Sequence, residues 1–177
     1  MSDELRALLQ REAAMEMPPE TSETVERAAA LGPAATDALR AELAGGGVQA
    51  LLALEALRAA DAGAWEAIPA ADRATIYADA LRSSQTFNAW GLPGFSLSGT
   101  SRAVVGLGQA AVEELRPLLG DEREAPLFGS QDATTASAYG NRVRDYAFVL
   151  IAEIQGVPYE YDRSPVERDR QIAALAG

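Results

Sequence analysis

Leu31-Gly32-Pro33-Ala34-Ala35-Thr36-Asp37-Ala38-Leu39-Arg40 recurs further along the chain as Leu107-Gly108-Gln109-Ala110-Ala111-Val112-Glu113-Glu114-Leu115-Arg116. Both stretches carry a Leu-Gly pair, an Ala-Ala pair and a closing Leu-Arg in the same register. Each is followed by a strongly apolar segment, residues 48–60 after the first and 139–155 after the second. A bent helix with an apolar companion cannot bury its apolar face alone and must stack on a neighbour. The echo therefore predicts an all-α fold, a short α-solenoid of antiparallel helix pairs closed by terminal capping helices.

A chain of 177 residues suits one domain of ordinary size, and the expectation is a single domain over 1–177. The N-terminus opens Met1-Ser2-Asp3-Glu4, without the basic start and apolar run of a secretory signal. The densest apolar run, residues 147–152, is far shorter than a membrane span. The chain is thus expected to be cytoplasmic, with no membrane partner. It contains no His, no Cys and no Lys. That removes disulfides, thiolate nucleophiles, imidazole bases, Schiff-base lysines and the commonest metal ligands. No catalytic residue, metal site or cofactor is expected. The formal charge of −11 repels a phosphate backbone, so nucleic acid is excluded as a partner.

Within the single domain, residues 1–20 read as an N-terminal capping helix with Leu5, Leu8 and Leu9 on one stripe, ended by Pro18-Pro19. Residues 21–62 form the first repeat: a helix from Thr21, a bend at Gly32-Pro33, a turn at Gly45-Gly46-Gly47 and the apolar helix over 48–60. Residues 63–99 form an intermediate unit, in which a helix over 70–82 behind Pro69 pairs with the segment around Trp65. An aromatic-rich loop holding Phe87, Trp90 and Phe95 follows it. Residues 100–156 form the second repeat, bent at Gly106 and Gly108. Here a long insertion replaces the three-glycine turn, beginning Asp121-Glu122-Arg123-Glu124-Ala125-Pro126-Leu127-Phe128-Gly129-Ser130. In its second helix Val143, Ala147, Leu150, Ile151 and Ile154 align on one buried face. Residues 157–177 end in a tail helix announced by the capping signal Ser164-Pro165-Val166-Glu167, running to Ile172 and Leu175.

Val143-Arg144-x-x-Ala147-x-x-x-Ile151-x-x-Ile154-x-Gly156 resembles the second helix of a HEAT-like repeat, of the type grouped with phycobilisome-lyase repeats. With residues 107–119 it makes one copy, residues 31–57 make a weaker one, and the resemblance covers most of the chain from Thr21 to Gly156. The resemblance implies a ladder between an Asp near the inter-helix turn and an Arg early in the second helix. Arg144 stands in the place of that Arg and Asp121 in that of the Asp, whereas the first copy has Gln49 and glycines there. It also implies a scaffold for protein contacts, with bilin lyases and alkyl-base DNA glycosylases as a minority.

Two groups are candidates for binding. Arg142, Arg144 and Asp145, with Tyr139 nearby, form the densest polar group on an otherwise apolar helix. An ion-pair network is the simpler account, since Arg142 and Asp145 are three apart on a helix surface. Phe87, Trp90, Phe95 and Phe128 fall in two loops that reach one edge if they converge. Such aromatics either plug the end of a core or dominate a binding surface. The reading is a non-catalytic protein-interaction module, homo-oligomerisation being left open. The alternative is a small-molecule binder or HEAT-like enzyme using the aromatic loops with Arg142, Arg144 and Asp145.

Overall fold

The structure is a computed structural model that describes residues 3–129 and 132–176. Met1, Ser2, Ser130, Gln131 and Gly177, which fall within the expected domain and insertion, lie outside the described residues. The chain is mostly helical, and it divides into two compact units, the first ending at Ser84 and the second beginning at Gln85. The division falls inside the stretch read as one intermediate unit over 63–99.

The first unit is built around α4, Gly47–Ala60, which is buried without interruption from Ala50 to Leu57. A helix apolar all round has to be enclosed on every side, and three elements enclose this one. They are α1 (Asp3–Ala14), the bent helix made of α2 (Glu23–Leu31) and α3 (Thr36–Glu42), and α6 (Ala70–Ser83). The bend is a short 3-10 turn, Gly32–Ala35, entered through Gly32 at φ 58°, ψ −146°. Thr36, starting α3, donates to Asp61 just beyond the end of α4, and Gln49 near the start of α4 donates to Glu42 at the end of α3. These two bonds make α3 and α4 antiparallel. The expected partner of the 70–82 helix is corrected: α6 packs along α4, and α5 (Ala62–Glu66) touches it through Trp65, whose ring lies 3.8 Å from the Arg73 guanidinium.

Carboxylates hold the helix starts of this unit. Glu12 on α1 accepts from the Ser22 hydroxyl (2.7 Å) and from the backbone N–H groups of Glu23 and Thr24 (3.0 Å each), where α2 leaves donors without partners. Asp79 on α6 accepts from Gly47 N (2.7 Å) at the start of α4. Each of these bonds joins two helices while capping one of them.

The second unit repeats the plan. α7 (Gly99–Gly106) and α8 (Gln109–Leu115) form a bent helix hinged at Gly108, φ 61°, ψ −136°, nearly the backbone conformation of Gly32. Positions that match in sequence match in burial: Ala28 with Val104, Ala35 with Ala111, Leu39 with Leu115. This bent helix packs on α10, Val143–Gln155, buried from Asp145 to Ala152. Of the five residues expected on its buried face, Ile154 is only half-buried.

The aromatic-rich stretch has structure of its own. A 3-10 turn at Asn88–Trp90 leads into a two-residue hairpin, β1 (Gly91–Leu92) against β2 (Ser96–Leu97). Past the insertion, α9 (Asp132–Tyr139) ends before α10 begins, so Tyr139 closes one helix where the sequence placed it at the start of the next. Gly140 at φ 56° and Asn141 make the corner. α11, Pro165–Ala176, starts where its Pro signal predicts and packs on α10.

Candidate functional site

The insertions of the second unit bring most of the candidate residues into one neighbourhood. Segment 123–125 pairs with 141–143 through Ala125 N to Asn141 O (2.8 Å) and Val143 N to Arg123 O (3.0 Å). The other loop is tied to the same segment, because Phe87 N donates to Pro126 O (2.9 Å). The Asn88 side chain then grips the Phe128 backbone twice, donating to its carbonyl (2.7 Å) and accepting from its N–H (3.1 Å). The two loops converge.

Their aromatics divide by depth. Phe87 and Trp90 are fully buried, Phe87 with its ring 5.1 Å from that of Tyr146, and they offer no face to solvent. Phe95 at the hairpin tip and Phe128 in the insertion are 54% and 59% exposed. Phe95 meets Tyr139 edge-on at 5.1 Å and Tyr161 at 6.2 Å, and the two tyrosines stack at 5.8 Å. Gly94, at φ 79°, sits so close to the Tyr161 ring that a Cβ there would overlap it. Only glycine allows this approach.

Beneath the tyrosines lies the charged group. Asp145 is completely buried. Its carboxylate accepts from the backbone N–H (2.9 Å), Nε (3.1 Å) and Nη2 (3.0 Å) of Arg142, and from Nε (3.1 Å) and Nη2 (3.2 Å) of Arg168. Arg142 also reaches Asp169 at 2.7 Å, and Arg144 pairs with Glu122 (2.7 Å) and lies 3.6 Å from Asp169. Asp121, expected from the resemblance as the ladder partner of Arg144, engages the Arg123 guanidinium at 2.9 Å. Its carbonyl accepts from Arg144 N (2.9 Å). The hydrogen bond from Arg142, with the charges of Arg142, Arg144 and Arg168, holds the Asp169 carboxyl below its ordinary value against the opposing effect of burial. Burial, helped by the Asp145 charge, pushes the Tyr161 phenol up. A carboxylate enclosed by two guanidiniums is saturated with donors, so this group holds structure together and presents no base to a substrate.

Arg168, Asp169, Tyr161 and Asn141 complete this arrangement and were not among the sequence candidates. Arg168 is fully buried, and besides Asp145 it donates to the carbonyls of Asp162, Arg163, Tyr139 and Gly140 (2.8 to 3.3 Å). One signal for it was present. Arg168, Ile172 and Leu175 fall four and three apart on one face of α11, and a cation on the apolar face of a helix needs a buried partner.

Next to the charged group, a cavity of about 300 Å³ opens between segment 124–128 and α9. Leu127, Phe128, Ala133 and Ala136 supply its apolar wall, with Glu124 and Asn141 among its polar groups. Asn141 is 3% exposed, and its Oδ1 accepts from the Tyr161 hydroxyl at 2.7 Å, while its Nδ2 has no hydrogen-bond partner. Tyr161 lines a second cavity of about 480 Å³ with Gly94, Gly156 and Tyr159. Among the described residues no cluster of carboxylates is arranged to hold a metal ion, and no helix is long and apolar enough to cross a membrane. No protein-family model, no curated protein and no solved structure matches the chain.

Proposed function

We propose that the chain is a cytoplasmic protein-interaction module built from two HEAT-like helical copies, in which the loops added to the second copy form the surface that meets a protein partner. The repeated bent helix, with glycine hinges of the same conformation and matching buried positions, supports the HEAT-like part of this reading. The observation that carries the interaction part is the exposure of Phe95 and Phe128 on loops that are firmly held. Large apolar side chains at the tips of flexible loops cost entropy when they bind. Here the hairpin rests on Tyr161, and the Phe128 backbone is clamped by Asn88, so that ordering is already in place before a partner arrives. Exposed aromatics on a rigid support are the side chains that dominate interfaces.

The test is capture of binding proteins by wild type, Phe95→Ala and Phe128→Ala, with Leu31→Ala as the control for an exposed apolar residue of the first unit. A stoichiometric partner retained by wild type and by Leu31→Ala should be lost by roughly tenfold or more from the two Phe variants, a typical hot-spot effect. Their helicity and melting temperature should stay near wild type. Equal capture by all four proteins rejects the loop surface.

A further inference from the structure

The cavity of about 480 Å³ opens at the C-terminal end of α10, and the groups gathered there share one electrical character. Ala152, Glu153 and the cap residue Gly156, which make up that end, all line it. The last carbonyls of a helix have no N–H groups ahead of them, so its C-terminus carries partial negative charge. Glu153 adds a full charge. Its Oε1 accepts from the Tyr159 hydroxyl at 2.9 Å, and its Oε2 has no partner among the described residues. Asp145, Asp169 and Glu122 are each engaged by an arginine, whereas Glu153 forms no ion pair among the described residues.

The carboxylate is held where it stands. Tyr159 packs edge-on against Phe148, with ring centroids 5.6 Å apart, so the hydroxyl that orients Glu153 is itself fixed from α10. Burial first, and then the bond and charge of Glu153, push the Tyr159 phenol up, which keeps it protonated and donating. Tyr161 also lines the cavity, but its ring is stacked on Tyr139 and has the Arg168 guanidinium 5.2 Å from its centroid. Tyr159 is therefore the aromatic wall open to a guest. We propose that this cavity binds small organic cations, an ammonium group on an apolar body, with the ammonium donating to Glu153 at the carbonyl end of α10. The proposal goes beyond the partner-surface reading and stands without it, since neither Phe95 nor Phe128 lines this cavity.

Each part of the ligand class follows from the walls. The positive charge answers Glu153 and the helix end, and no cationic side chain is among the described lining residues. One carboxylate is too few for a hard metal ion, which takes six or more oxygen ligands, but it suits an ammonium N–H donor. The apolar body matches Val157, Pro158 and the Tyr159 ring, and a ring face attracts a cation in its own right. The volume lies within the range of small-molecule sites. The chain's formal charge of −11 raises the concentration of cations around it.

The test uses the full chain and ligand-observed NMR titration with benzylammonium, with benzyl alcohol as its neutral counterpart. N-acetyl-lysine N-methylamide is a second cation; the tighter of the two shows whether a free amine or a polypeptide lysine is the better source of the ammonium. At least one cation should bind saturably in the millimolar range or tighter, and more weakly at high salt. Benzyl alcohol should bind about tenfold more weakly than benzylammonium. Glu153→Gln keeps an acceptor for the Tyr159 hydroxyl and should weaken the better cation by about tenfold, the worth of a charge-assisted bond over a neutral one. Val157→Arg places a cation on the cavity wall and should abolish binding. Both positions are exposed, so melting temperatures should stay near wild type. Glu113→Gln, an equal charge change on exposed α8 outside the lining, should leave affinity unaltered, as should Phe128→Ala even if it has lost the protein partner. The proposal is overturned if no cation saturates, if benzyl alcohol binds as well as benzylammonium, if Glu153→Gln or Val157→Arg binds like wild type, or if Glu113→Gln loses as much as Glu153→Gln.

Discussion

Replacing Arg168 by methionine should remove the anchor of the second unit. Methionine keeps most of the length and apolar stem of arginine, so the change deletes the guanidinium and little else. That guanidinium makes two bonds to Asp145 and bonds to four backbone carbonyls, from the corner after α9 and from the chain entering α11. Asp145 keeps its three bonds from Arg142, so its charge is not left bare. The carbonyls of Tyr139, Gly140, Asp162 and Arg163 lose this donor. Removal of one partner from a fully buried pair costs about 3–5 kcal/mol, and here the loss should be read in the second unit. The sequence supplies the probe: of its two tryptophans, Trp65 lies in the first unit and Trp90 in the second. In a Trp65→Phe background, Trp90 fluorescence under urea follows the second unit, and the midpoint should fall by roughly 2–3 M if the slope is about 1.5 kcal/mol per molar. Asp145→Asn added to Arg168→Met should cost less than the two changes separately, leaving a coupling energy of at least about 1 kcal/mol. A loss below about 1 kcal/mol for Arg168→Met, or full additivity, would refute the view that this pair holds α11 and the corner to α10.

Gly106 and Gly108 stand two residues apart, both with open space where a Cβ would lie, but only Gly108 has a positive φ. Thermal melts should show Gly106→Ala neutral or stabilising by up to about 1 kcal/mol and Gly108→Ala destabilising by about 1–3 kcal/mol; the same sign for both would remove the hinge role. Burial acts to raise the Glu12 carboxyl, but the bonds from Thr24, Ser22 and the backbone outweigh it, and its value lies below the ordinary one. The unfolded chain then binds the proton more readily. The stabilisation is complete above the unfolded value near about pH 4.3 and is lost as pH falls through the lower folded value. Glu12→Gln should lose about 1–3 kcal/mol at neutral pH and show a flatter acid limb, as read from melting temperature against pH. Gel shifts at physiological salt should show no retardation of duplex or single-stranded DNA, since the charge is −11 and Arg142, Arg144 and Arg168 are already paired with acids; submicromolar, salt-sensitive binding would overturn that.

What the sequence revealed and what it concealed follow a physical line. The bent helices were readable because their cause is local: Gly32 and Gly108 hinge the backbone, and the leucines and alanines around them recur at helical spacing, so residues close in sequence carry the information. The buried run of α4 was readable for the same reason. The companion of α6 was not, because Trp65 is near it in sequence while the face of α4 is near it only in space. The aromatics of the added loops show the same limit. Phe87, Trp90, Phe95 and Phe128 are alike as letters in polar, glycine-rich stretches, but Phe87 and Trp90 turn into the core while Phe95 and Phe128 stay exposed. The difference comes from the Phe87 N to Pro126 O bond and the Asn88 clamp, both of which join loops about forty residues apart. The charged group was half visible. Arg142 and Asp145 are three apart, and their pairing follows from helix geometry, whereas Arg168 enters from another helix and appears in sequence only as a cation on an apolar stripe. That placement gives the buried Asp145 a second guanidinium, so the densest cluster of charge in the sequence is spent on holding α11 and the corner before α10 in place.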